Sequence, residues 1–290
     1  MRLPNFVVIG PPRTATTWLF RCLRDHPQVF VPNVKEPRYF DENYHQGLSW
    51  YLDLYKTAPA TASKIGDITP GYFIADGVPE RMANLLGLNI KIYIVVRNPV
   101  ERAYSHYRML TRNALVTGTF EEALEQEYSL VENSLYTKQI ERFLTVFPQD
   151  SLRLLTYEQL TNNPRQYWSN FLEDLGVDYV EGSTLTKQVN KGLAEMRMPF
   201  VNRGITKIKQ ALASSVASRE ILWKMRDLGI MRLWHQLSLK TPSEFAISKD
   251  SLLQLFELHF AADYTSLNRY QNMYIHHNSQ LRTTNISSIE

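Results

Sequence analysis

The chain has 290 residues, 44% of them hydrophobic and 21% charged, which suits one large α/β domain or two small ones and excludes a disordered chain. A net charge of +3 excludes general nucleic-acid binding, and the single cysteine, Cys22, excludes an intrachain disulfide framework. No apolar run approaches the roughly 20 residues needed to span a bilayer, and no leader-like segment precedes Phe6, so the sequence reads as cytoplasmic.

Phe6-Val7-Val8-Ile9 is a short continuous apolar run closed by Gly10, the pattern of a buried parallel strand. A loop follows, and then Trp18, Leu19, Cys22 and Leu23 recur at helical spacing until His26-Pro27 ends the helix. Ile90 to Val96 repeats the strand pattern and stops at Arg97-Asn98-Pro99, where a second helix begins. Leu152 to Tyr157 is a third strand, followed by Asn163-Pro164 and a helical stretch from Tyr167 to Leu175. Strand then helix, three times over, predicts a parallel sheet with helices on both faces. Residues 119–147, 205–237 and 249–263 are predicted helical, and 277–290 a frayed polar tail. A single domain over 1–290 is expected, with 203–245 as a helical excursion from it.

The first strand-loop-helix is a natural anion site, because unpaired N–H groups and the positive end of the helix dipole converge there. Its loop, Gly10-Pro11-Pro12-Arg13-Thr14-Ala15-Thr16-Thr17, fails the Walker A pattern twice: Ala15 stands at the second Gly and Thr16 at the Lys. The second strand ends in Arg97 rather than in an Asp suited to Mg²⁺, which argues against a metal-dependent ATPase or GTPase.

Residues 9–19 resemble the 5′-phosphosulfate loop, P-[KR]-[ST]-G-T-T, of sulfotransferases that use 3′-phosphoadenosine 5′-phosphosulfate (PAPS). Asp25-His26-Pro27 and Lys35-Glu36-Pro37-Arg38-Tyr39-Phe40-Asp41 resemble stretches of the heparan sulfate-type and related bacterial enzymes. Arg97-Asn98-Pro99 through Arg102, Ser105 and Tyr107 is similar to that family's 3′-phosphate motif. Gln188 to Leu193 with Arg197 is similar to the loop that closes over the same phosphate, although Asn190-Lys191-Gly192 is also ordinary turn chemistry. Gly66-Asp67-Ile68-Thr69-Pro70 and the segments around Tyr136 and Tyr157-Glu158 match weaker family patterns.

The resemblance implies a P-loop-like three-layer α/β sandwich and transfer of a sulfuryl group from PAPS, with PAP as product and no metal. It implies nucleotide contacts from Pro12, Arg13, Thr14, Ala15, Thr16, Thr17, Trp18, Arg97, Ser105, Asn190, Lys191, Gly192 and Arg197. Arg13 is the expected stabiliser of the leaving phosphate, by charge alone because a guanidinium does not give up its proton. Glu36 is the expected base, with Asp67 and His106 as second choices. Arg102 is read as half of a structural ion pair. Ala15, replacing the loop Gly, is expected inside the first helical turn, where φ > 0 is not required. In the heparan N-sulfotransferases a His follows the motif's Ser by four positions, and Met109 stands there instead.

The acceptor is expected to be a hydroxylated carbohydrate or a lipid-linked glycan, with no nucleic-acid partner. Between Arg203 and Lys240 eight Lys/Arg face only Glu220 and Asp227, with Leu and Ile at helical spacing. This stretch reads either as a solvated basic face or as an acceptor lid or peripheral membrane contact. Two other functions remain open at this level: a non-catalytic PAP/PAPS-binding module, and sulfation of a small hydroxylated metabolite.

Overall fold

The computed structural model describes residues 2–113, 115–182, 195–196, 239–240 and 247–275. β1 (Phe6–Ile9) is buried along its whole length, because it is the central strand of a parallel sheet covered on both faces. β2 (Val29–Phe30), β3 (Lys64–Ile68), β4 (Lys91–Val96) and β5 (Leu152–Thr156) complete the order β2-β3-β1-β4-β5. All pairings in this sheet are parallel, with Val7 opposite Asp67 and Ile92. The chain thus leaves β1 for one edge, returns, and crosses to the other side at β4. That reversal makes the crevice beyond the carboxyl ends of β1 and β4 the place where open α/β sheets bind ligands.

The three strands expected from apolar runs are β1, β4 and β5. β3 escapes that pattern because Gly66 and Asp67 interrupt it, and both have structural reasons. A Cβ on Gly66 would lie 2.3 Å from the ring of Phe6. Asp67 is wholly buried but satisfied by hydroxyl donors.

Helices α1 (Thr16–Arg24), α2 (Gly47–Asp53), α3 (Val78–Leu86), α4 (Pro99–Arg112) and α5 (Phe120–Gln126) follow in chain order. They are joined by α6 (Tyr128–Glu132), α7 (Tyr136–Leu144), α8 (Tyr157–Asn162), α9 (Pro164–Leu175), α10 (Lys249–His259) and α11 (Ala261–Ser266). One core packs Phe6, Val8, Tyr93, Val95 and Leu155 under α1 and α9. The other packs Val7, Ile92, Ile94 and Leu154 under α3, α4, α7 and α10. These are the three expected layers.

Residues 119–147 divide into α5, α6 and α7 rather than one helix, with a capping box from Thr119 and Glu122 starting α5. The expected helix over 249–263 breaks at Phe260, whose φ is −128°. Asp263 then accepts from the N–H groups of Tyr136 and Thr137 at 2.7 and 3.1 Å, tying α11 to the start of α7.

The 203–245 excursion lies mostly outside the described residues. The expected helix over 205–237 falls outside the described residues, and just beyond it Leu239–Lys240 pairs antiparallel with Glu195–Met196. The latter strand lies against α4. The 277–290 tail also falls outside the described residues. No helix among the described residues is long and apolar enough to cross a membrane.

Candidate active site

The loop between β1 and α1 is shaped by close approach. Gly10 has φ +148°, and a Cβ there would stand 2.4 Å from the Val95 carbonyl oxygen of β4. Thr14 is buried and its hydroxyl donates to the Pro11 carbonyl at 2.9 Å, closing the turn. Pro12 and Thr17 are half-buried at the loop rim, and Thr16 is buried as the first residue of α1.

Ala15 overturns the expectation of a helical φ. It is the residue preceding α1 and is left-handed, with φ 64° and ψ 17°. An alanine therefore holds the backbone shape that glycine holds in the family pattern, at a cost of about 1 kcal/mol. Arg13 is also left-handed, at φ 82°. Trp18 packs its indole edge-on against Tyr167 and Trp168, while its backbone N–H donates to the Ala15 carbonyl at 2.9 Å. It belongs to the core under the loop.

The second strand-loop-helix meets the first. Arg13 Nε donates to Ser105 Oγ at 3.1 Å, across 92 positions of sequence. Arg97 pairs with Glu101 at 3.1 Å and lies 4.3 Å over the ring of Tyr157. Asn98 caps α4 by accepting from Glu101 N, and its own N–H donates to Glu158 at 2.7 Å. The Tyr136 hydroxyl donates to the Arg97 carbonyl at 2.8 Å. These contacts hold Arg97 at the end of β4. In the sequence Glu158 and Tyr157 are only part of a weak pattern, and their supporting roles depend on contacts that no spacing displays.

The electrostatics are those of an anion site. Burial, then the cations of Arg112, Arg97 and Arg108, push the Arg13 guanidinium down to about 10, so it stays charged at neutral pH. Tyr157 acts in the opposite direction. Half-buried guanidiniums that repel one another, gathered around Arg13 beside the N-terminus of α1, fit a polyanion such as the phosphates of PAPS.

Arg102 is fully buried, and among the described residues it has no carboxylate partner of the kind expected for an ion pair. Its guanidinium donates to Ser134 Oγ, to the Leu130 carbonyl (both 2.6 Å) and to His106 Nδ1 at 3.2 Å. That contact occupies the basic nitrogen of His106, and burial with the charges of Arg102 and Arg13 pushes the imidazole down to about 4. His106 is a structural acceptor rather than a base for an incoming acceptor. Asp67 is also committed, accepting from Tyr51 (2.8 Å), Tyr72 (3.1 Å) and Thr69 (2.7 Å).

Glu36 lies beyond the carboxyl end of β2, on the same edge of the sheet as the phosphate loop, with φ 62°. It pairs with Lys35, whose side chain is 5% exposed against 41% for Glu36. Arg38 in the same loop bonds Asp41 and lies against Gly71, adjacent to the Pro70 carbonyl that accepts from Gly10 N. The structure thus brings Arg13, Arg97 and Ser105 together, with Glu36 as a neighbour along the edge. Asn190, Lys191, Gly192 and Arg197 lie outside the described residues. Among the described residues no group of three or more His, Cys, Asp or Glu is placed to hold a metal ion.

The family described as "Sulfotransferase domain" matches residues 3–197, which takes in the phosphate loop and all five strands of the sheet. The chain belongs to the sulfotransferase family. This member is 31% identical over 216 residues to the human bifunctional heparan sulfate N-deacetylase/N-sulfotransferase 3, covering 66% of this chain and 24% of that protein. It is 32% identical over 176 residues to mouse heparan sulfate glucosamine 3-O-sulfotransferase 3B1, covering 56% of this chain and 43% of the relative. The sulfotransferase thus spans less than half the length of these curated relatives. They include an N-sulfotransferase despite Met109. The crystal structure of a sulfotransferase from Alicyclobacillus acidocaldarius superposes with a TM-score of 0.56 at 25% identity, over 77% of this chain and 97% of that one.

Proposed function

We propose that this sulfotransferase moves the sulfuryl group of PAPS to a hydroxyl or amine of a carbohydrate or glycolipid acceptor. The observation that carries the reading is the 3.1 Å contact of Arg13 with Ser105, which joins a phosphate loop to a second anion motif. Two anion sites on one crevice suit a nucleotide charged at both its 5′ and 3′ positions. The names of the heparan sulfate relatives favour a carbohydrate acceptor.

In this reading Arg97 and Ser105 hold the 3′-phosphate, while the α1 N-terminus with Thr16 and Thr17 holds the 5′-phosphosulfate. The acceptor oxygen or nitrogen bonds to sulfur as the bond from sulfur to the phosphate oxygen breaks, and PAP leaves. Glu36 takes the acceptor's proton, and Arg13 stabilises the negative charge left on the phosphate. Glu36 is paired with Lys35, but it is 41% exposed where His106 and Asp67 are buried, so an incoming acceptor can reach it.

The test is binding of PAP, AMP and ATP in EDTA, followed by transfer from labelled PAPS to a panel of glycans. PAP should bind best, and Arg13→Ala should lower transfer by 10²–10³-fold, the usual loss for one preorganised donor. Equal binding of AMP and PAP would overturn the 3′-phosphate assignment. PAP binding without transfer to any acceptor would favour a non-catalytic binding module.

A further inference from the structure

Asp67 carries more hydrogen bonding than a core position requires. It stands near the carboxyl end of β3, opposite Val7 of β1, and is wholly buried. Its Oδ2 accepts from the hydroxyls of Tyr51 at 2.8 Å and Tyr72 at 3.1 Å, and its Oδ1 accepts from Thr69 at 2.7 Å. Polar partners in a core can be replaced together by apolar side chains of the same shape at little cost to stability. What the carboxyl supplies beyond that is a fixed direction for three hydroxyls.

That direction matters at Tyr72, which lies in the 3₁₀ turn Pro70–Phe73. Its hydroxyl proton goes to Asp67, which leaves the oxygen free to accept from the Phe40 N–H at 3.2 Å. Tyr51 reaches the same segment through its ring, stacked on Tyr39 at 4.3 Å and edge-on to Phe40 at 5.4 Å. Tyr39 and Phe40 follow directly on the loop that carries Glu36, where Glu36 (φ 62°) and Arg38 (φ 55°) are both left-handed. Backbone of this kind persists only where surrounding contacts over-determine it. Here Asn43 donates to the Pro37 carbonyl at 2.7 Å, Arg81 donates to the Phe40 carbonyl at 2.8 Å, and Tyr72 takes the Phe40 N–H.

The same carboxyl is tied to the phosphate loop. Thr69 gives its hydroxyl to Asp67 and its N–H to the Val8 carbonyl at 3.1 Å, and the Pro70 carbonyl beside it accepts from Gly10 N. Asp67 therefore joins two loops: that of Glu36 through Tyr72, and that of Arg13 through Thr69 and Pro70. In-line transfer needs the base and the leaving phosphate in register, and a displacement of about 1 Å can lower the rate about 10²-fold. We propose that Tyr72, oriented by Asp67, is a positioning residue that fixes the Glu36 loop against the phosphate loop. This rests on the reading of Glu36 as the base and adds to it the device that holds the base in place.

Tyr72→Phe is the primary variant, because it cuts the link to Phe40 and leaves Asp67 with Tyr51 and Thr69. Tyr93→Phe is the control: it removes a comparable phenol–carboxylate bond, to Asp174 at 2.7 Å, that joins neither loop. Hydrogen exchange read by mass spectrometry needs no acceptor. Peptides covering 36–43 should exchange about tenfold faster in Tyr72→Phe than in wild type, and unchanged in Tyr93→Phe. Equal exchange in wild type and Tyr72→Phe overturns the proposal. Transfer from labelled PAPS to a desulfated heparan sulfate oligosaccharide gives the second readout. Tyr72→Phe should lower kcat about 10²-fold, and Asp67→Asn, which offers one acceptor oxygen to three donors, about tenfold, each with PAP affinity within about twofold of wild type. In a Glu36→Gln background Tyr72→Phe should cost little more, because residues that act as a unit are not additive. A full further loss there would make Tyr72 a general support of the fold and sink the proposal. Glu36→Gln with the kcat of wild type would instead remove Glu36 as the base, a failure separate from any in the exchange of the loop.

Discussion

Asp67→Asn offers the sharpest test of the buried interior beside the site. Asp67 is fully buried, and the causes acting on it oppose one another. Burial and, less strongly, the charge of Asp41 raise its carboxyl, while the hydroxyls of Thr69, Tyr51 and Tyr72 lower it. Burial wins, leaving the group at about 6 instead of 3.8. The folded state therefore holds this proton more tightly than the unfolded chain. Its contribution to stability is complete below pH 3.8, and is lost as pH rises through about 6. At 1.36 kcal/mol per pH unit the loss is about 3 kcal/mol. Asparagine keeps the shape and has no proton to lose. Urea unfolding of both proteins from pH 4 to pH 7 isolates the effect, because His106, Glu158 and the other shifted groups titrate alike in each. The stability of wild type relative to Asp67→Asn should fall by about 2 kcal/mol across that range, the rest of the loss lying outside it. A flat difference, or one in which wild type gains with pH, would refute the reasoning by showing that the three hydroxyls outweigh burial.

Two substitutions in the phosphate loop follow from its backbone. Ala15→Gly relieves a left-handed alanine, and should stabilise the protein by about 1 kcal/mol, read as a rise of about 2–4 °C in the thermal midpoint. Gly10→Ala would press a Cβ to 2.4 Å from the Val95 carbonyl oxygen, and should cost about 3 kcal/mol or more. Denaturant unfolding measures that cost, and calorimetry should find PAP binding weakened with it.

Much of the sheet was legible because buried parallel strands write themselves as continuous apolar runs. β1, β4 and β5 do so, and α1 and α4 follow them where the sequence stops being strand-like. β3 was not legible. Gly66 is present because the Phe6 ring occupies the space of its side chain, and Asp67 because three hydroxyls converge on it. Neither reason exists until the neighbouring strand and α2 are in place. Ala15 failed for a local reason of the same kind: residue preference points to φ < 0, and the surrounding loop imposes φ 64°. Trp18 sat inside a ligand motif, yet its side chain answers to α9 rather than to the loop.

The candidate site divides along the same line. Sequence alone determined that a strand, a loop and a helix would follow one another around Arg13 and its neighbouring hydroxyls, and that Arg97 would end a second strand with Ser105 in the helix after it. Those are short-range consequences of residue type and spacing. Only the tertiary structure decided that Arg13 reaches Ser105, that Arg97 rests on Tyr157, and that Arg108 and Arg112 join the same field. It also removed His106 and Asp67 as bases by giving their acceptor atoms to Arg102 and to the tyrosines. The physical reason is that charge and hydrogen bonding act through space: groups 92 residues apart influence one another only once the sheet has set the distance between them.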